Sequence, residues 1–123
     1  MTKILERALQ IKYRNLFTED IEISCEDGWY DLIDTLSCCI ENYRDTEGYE
    51  LVLVTCIKEK FGGLRYYCET DDNCVKGMIK ICELLSYRIC EKCGWSATPV
   101  NVRGTMKTYC IRCRGRNNEE KEQ

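Results

Sequence analysis

Between residues 3 and 17 the apolar side chains Ile4, Leu5, Ala8, Leu9, Ile11, Leu16 and Phe17 recur mostly three and four positions apart. That spacing puts them on one face of a helix. The period returns more cleanly over 28 to 44, where Trp29, Leu32, Ile33, Leu36, Cys39, Ile40 and Tyr43 align behind Asp27 as N-cap, with Asp31 in the first turn. Residues 50 to 60 are β-branched and become alternating, and Leu64 to Cys68 repeats that character beyond Phe61-Gly62-Gly63. This predicts a β-hairpin turning on the glycine pair. Helical period resumes from 73 to 89 through Val75, Met78, Ile79, Cys82, Leu85, Ser86 and Ile89, after the capping cluster Asp71-Asp72-Asn73. Val100 to Val102, Arg103-Gly104-Thr105 and Met106 to Tyr109 read as a second, smaller hairpin. The fold class predicted is α+β: a small helical body with a β-hairpin, followed by a short module.

Charge sharpens that division. The net charge of −3 conceals 10 Lys/Arg against 17 Asp/Glu in residues 1 to 87, 7 against 1 in 88 to 116, and 1 against 3 in 117 to 123. An acidic body (1–87), a basic cysteine-paired module (88–116) and a flexible tail (117–123) follow from it. No apolar run reaches the roughly 20 residues of a membrane-spanning helix, and the N-terminus lacks a signal peptide's hydrophobic stretch. The expectation is an intracellular, cytoplasmic protein with no membrane partner.

Two residue counts bear on chemistry: no histidine and eleven cysteines. Without imidazole there is no Ser-His-Asp or Cys-His pair, which removes most hydrolase mechanisms. The reading is therefore a protein that is not an enzyme. In a reducing compartment the cysteines are thiols or metal ligands. Cys90-Glu-Lys-Cys93 and Cys110-Ile-Arg-Cys113, sixteen residues apart, have the spacing of a zinc site. Two intervening residues let a tight turn aim both sulfurs at one ion, and Gly94 can supply the positive φ that such a turn favours. Four thiolates close the tetrahedral shell of one structural Zn²⁺ and leave no position for water, so the module is zinc-ribbon-like and catalyses nothing. Zinc contributes on the order of 10 kcal/mol to folding so small a unit. Cys39-Ile-Glu41 with Cys90-x-x-Cys93 crudely imitates a zinc deaminase, but it lacks the proline before the cysteine pair and would strand Cys110 and Cys113.

Two further groups are candidate contacts. Arg112 and Arg114, with Arg88, Lys92, Arg103, Lys107 and Arg116 and the interleaved Trp95 and Tyr109, suit phosphate or an acidic partner. They equally suit balancing the −2 charge of a zinc tetrathiolate. Lys58, Lys60 and Arg65 around Gly62 and Gly63 could grip a small anion, and a tight turn with solvated charges needs less. The remaining cysteines mostly fall on predicted apolar faces, where a thiol packs as a small hydrophobe.

Taken together, Asp27-Gly-Trp-Tyr-Asp-Leu-Ile-Asp34, Ile57-Lys-Glu-Lys-Phe-Gly-Gly-Leu-Arg-Tyr-Tyr67, Ile89-Cys-Glu-Lys-Cys-Gly94 and the closing Cys110-x-x-Cys113 resemble a family of small uncharacterised proteins of tailed bacteriophages and prophages. The resemblance covers about residues 24 to 115. It implies a phage protein made in a bacterial host, acting by binding. The expected partner is a host protein, in takeover of host machinery or inhibition of a defence system. Nucleic acid on the ribbon and a small anionic nucleotide-type ligand on the glycine hairpin are the alternatives, and a homo-oligomer is open. Family members often carry a longer insertion between the Trp-containing helix and the strand; here Tyr43 to Glu50 is short.

Overall fold

A computed structural model describes residues 1–47 and 51–115. The fold is α+β, with a cysteine cluster near the C-terminal end of the described chain. Helix α1 (Lys3–Lys12) is followed by β1 (Phe17–Ser24), a 3₁₀ turn (Asp27–Trp29) and α2 (Tyr30–Glu47). Then come β2 (Leu53–Lys60), β3 (Gly63–Glu69), α3 (Asn73–Ser86), β4 (Thr98–Val102) and β5 (Thr105–Tyr109). Residues 111–115 are helical. The tail expected at 117–123 lies outside the described residues.

The first helix is shorter than its apolar spacing predicts, and a strand follows that the spacing does not predict. The chain leaves α1 at Tyr13, whose carbonyl accepts the N–H groups of Leu16 and Phe17 at 2.9 and 2.8 Å. Phe17 therefore opens a strand instead of closing a helix. In β1, Ile21 and Ile23 are buried between exposed Glu22 and Ser24, the two-residue alternation of a half-buried strand. β1 pairs in parallel with β2, with α2 as the connection, and β2 pairs antiparallel with β3. The body is thus a three-stranded mixed sheet in the order β1-β2-β3, not a lone hairpin under helices.

The core joins Leu9 of α1 and the adjoining Tyr13, Ile33, Leu36 and Ile40 of α2, and Val75 of α3 to Ile21, Ile23, Val54, Ile57, Leu64 and Tyr66 of the sheet. Its polar atoms are matched. Tyr66 shares a buried hydrogen bond with Ser37 at 2.9 Å, and the fully buried Trp29 donates its indole N–H to the Ile89 carbonyl at 2.8 Å.

The outer edge of β3 would expose the N–H groups of Leu64 and Tyr66. Helix α3 covers it, with Ser86 Oγ accepting from Leu64 at 2.8 Å and Glu83 Oε2 from Tyr66 at 3.0 Å. Asp72 caps α3 by accepting from the N–H groups of Cys74 and Val75 at 2.8 and 3.1 Å. Asp27 does not cap α2 as its position suggests: its carboxylate accepts the Thr2 N–H at 2.7 Å.

Both tight hairpins turn on two consecutive residues of positive φ, Phe61-Gly62 (55° and 84°) and Arg103-Gly104 (52° and 86°). The first turn therefore sits one residue earlier than the glycine pair, and Gly63 already pairs with Lys60.

Candidate metal centre and the seam that carries it

Cys90 and Cys93 flank a turn in which the Gly94 N–H donates to the Cys90 carbonyl at 2.9 Å, with Gly94 at φ 84°. Cys110 directly follows β5, and Cys113 lies one helical turn on. The four Sγ atoms lie within 4.8 Å of one another, with Cys93 and Cys110 at 3.5 Å. A tetrahedral ion with sulfurs at ~2.3 Å spaces them by about 3.8 Å. The cluster can hold a metal ion, and among the described residues it is the one group of three or more Cys, Asp or Glu so arranged.

Backbone N–H groups of Trp95 and Cys113 point at the sulfurs of Cys93 and Cys110. Such N–H dipoles stabilise thiolate charge. For Cys110, burial opposes ionisation, but the Cys113 N–H and the neighbouring thiols outweigh it and hold the thiol below the ordinary cysteine value. Cys90, Cys110 and Cys113 are buried and Cys93 is exposed. Val102 and Tyr109 join the three buried cysteines in a second hydrophobic cluster, separate from that of the body.

Sequence reasoning does not show how this unit is mounted. Gly28 donates its N–H to the Glu91 carbonyl at 2.7 Å, and a Cβ on Gly28 would collide with the carbonyl oxygens of Cys90 and Glu91. On the other side the Thr108 hydroxyl donates to the Gly62 carbonyl at 2.7 Å. A Cβ on Gly63 would run into the Tyr87 ring. The Asp-Gly-Trp turn and the Gly62 carbonyl of the Phe-Gly-Gly turn are therefore two of the places where the body meets the module.

Charged groups line the seam between these contacts. Glu91, buried, accepts the Glu26 N–H at 3.1 Å through Oε2, while its Oε1 lies 3.8 Å from Lys107 Nζ. Lys107 also reaches Glu59 at 3.1 Å, and the Tyr109 hydroxyl donates to Glu26 at 3.0 Å. Burial pushes the Glu91 carboxyl up to about 7 against the pull of Lys107. The signal for this seam in the sequence is Glu91 itself, the single acidic residue among seven basic ones.

The remaining candidate residues divide. Lys58 and Lys60 place their ammonium groups over the rings of Tyr67 and Phe61 at 5.5 and 5.7 Å. Arg65 donates to the Leu64 carbonyl and the Tyr87 hydroxyl, and the Gly62 N–H donates to Glu59 at 2.7 Å. These groups engage their neighbours instead of converging on an open anion cradle. On the module, Arg112 is exposed and lies 5.0 Å from the Trp95 ring, whereas Arg114 is half-buried. Trp95 is 59% exposed and Ile111 79%.

Comparison with family models, with curated proteins and with solved structures finds no match to this chain. Among the described residues no helix is long and apolar enough to cross a membrane.

Proposed function

We propose that this chain is a non-catalytic, zinc-stapled binding protein of bacteriophage type that acts on a host protein through the outer face of its cysteine module. The observation that carries the reading is the exposed Trp95, with Arg112 over its ring, the exposed Ile111 preceding Arg112 in the chain, and a four-sulfur cluster in the same module. Trp and Arg are the side chains that most often dominate protein interfaces, and an exposed isoleucine adds apolar area that a phosphate backbone does not use. Zinc suits the donor set, since four thiolates favour a soft tetrahedral ion. Its role is structural, because all four positions are protein sulfurs and none is left for water or substrate.

The basic side chains support this reading over nucleic acid. Lys107 pairs with Glu59 and Glu91, and Lys92 lies 5.3 Å from the Tyr109 ring. Part of the module's positive charge is thus used internally. Arg88, Arg103 and Arg112 remain exposed.

Native mass spectrometry of untagged protein, purified at low salt from a bacterial host, tests the proposal. One zinc per chain with a co-purifying host protein is expected, and Trp95→Ala with Arg112→Ala should lose the protein while keeping the zinc. Absence of zinc overturns the staple. A co-purifying oligonucleotide released by salt moves the function to nucleic acid.

A further inference from the structure

Helix α3 is apolar on two opposite sides. Val75, Met78, Ile79 and Cys82 face the body's core. On the other side Ile81, Leu84 and Leu85 are 61%, 57% and 43% exposed, Cys74 is exposed, and nothing lies within 4 Å of where a Cβ on Gly77 would be. At 100° per residue, positions 74, 77, 81, 84, 85 and 88 form one stripe opposite the buried one. The flanking Lys76 and Lys80 lie to one side of the stripe, not within it.

We propose that this stripe is the two-fold interface of a homodimer, occupied by α3 of a second copy lying antiparallel to the first. Shape and charge both select a second copy. With the axis at Ile81, Gly77 stands level with Leu85 of the other chain, so a gap faces a large side chain twice. The same register sets Arg88, exposed just beyond the helix end, level with Cys74 of the other chain. That is three residues along the chain from Asp71, exposed just before the helix start. Two identical Asp71–Arg88 pairs result. A parallel pairing would instead place like charges side by side.

Sedimentation equilibrium of the intact, metal-loaded protein from about 5 to about 500 µM tests this, since a small helix-pair interface gives a concentration-dependent dimer. The wild type should dimerise with a micromolar constant, and Ile81→Glu should be monomeric at every concentration while keeping its circular dichroism and metal content. Arg88→Asp should weaken the dimer at least tenfold, and adding Asp71→Arg to it should restore association. The charge pair keeps the test decisive if Ile81→Glu misfolds. A wild type that stays monomeric, including one whose α3 face takes up a different protein, overturns the proposal. So does a dimer indifferent to Ile81→Glu, or a double charge reversal without rescue.

Discussion

Thr108 donates its hydroxyl to the Gly62 carbonyl across 46 residues of chain, with both residues buried, and so ties β5 to the turn between β2 and β3. Thr108→Val keeps the shape of the side chain and removes the donor. The carbonyl is then left without its partner inside the seam, at a cost of about 1–3 kcal/mol. Urea unfolding should show the lower midpoint with an unchanged slope, and equal midpoints would mean that this bond does not hold the module down.

Phe61 is the first of the two central residues of its turn, both of positive φ, a conformation that is strained for a bulky side chain. It is also 72% exposed, so its ring recovers little by burial. Phe61→Asn creates Asn-Gly, the pair this turn prefers, and should stabilise the protein by about 1 kcal/mol. A lower thermal midpoint would show that the ring contributes more than its exposure suggests.

The parts of the fold legible in the sequence are those with a long period or a fixed spacing. Helix α2, the capped start of α3 and the paired cysteines at 90/93 and 110/113 are of this kind. Strand β1 is missed because Leu16 and Phe17 extend the apolar spacing of α1 past its true end at Lys12. The acidic residues Glu19, Asp20 and Glu22 then disguise the alternation of Ile21 and Ile23. Ile4 and Ile11 fit a buried face by spacing yet are exposed, and Leu9 is the residue of α1 that is buried. The seam is illegible for a different reason. Its contacts join residues 28 to 91 and 62 to 108, and nothing in local pattern reports on pairs so far apart.

The cysteines should separate by reactivity. With iodoacetamide near neutral pH, Cys38, Cys39 and Cys74 should label first, being exposed, while Cys25, whose thiol burial pushes up to about 12, should wait for unfolding. Burial also pushes Cys68 up to about 11, so it should react slowly. With an ion bound, Cys90, Cys110 and Cys113 should be protected until a chelator removes it. Cys90→Ser or Cys113→Ser should lose the metal and unfold residues 88 to 115, and Cys38→Ser should not. Equal metal in all three variants would sink the assignment of the centre.

Asp34 gives the body part of its acid sensitivity. Burial pushes its carboxyl up, but hydrogen bonds from the Tyr13 hydroxyl at 2.5 Å and the Lys12 ammonium at 2.9 Å outweigh that and hold it below the ordinary aspartate value. The unfolded chain then takes up this proton more readily than the folded one. The associated stability is present above about pH 4 and is lost as the pH falls through the lowered folded value. Asp34→Asn should cost about 1 kcal/mol near neutrality and flatten the decline between pH 5 and 3 in denaturant titrations. An unchanged decline would place the acid sensitivity elsewhere.

The glycine contact at residue 28 bears on how freely the cysteine module could be moved between proteins. Transplanted alone, residues 88 to 115 would carry Glu91 and Lys107 to a host without Glu26, Glu59 or a Cβ-free site for the Cys90 and Glu91 carbonyls. A graft would have to bring both glycine-bearing turns with it, so recombination or design that preserves this unit must cut the chain before residue 26 rather than at the charge boundary near 88.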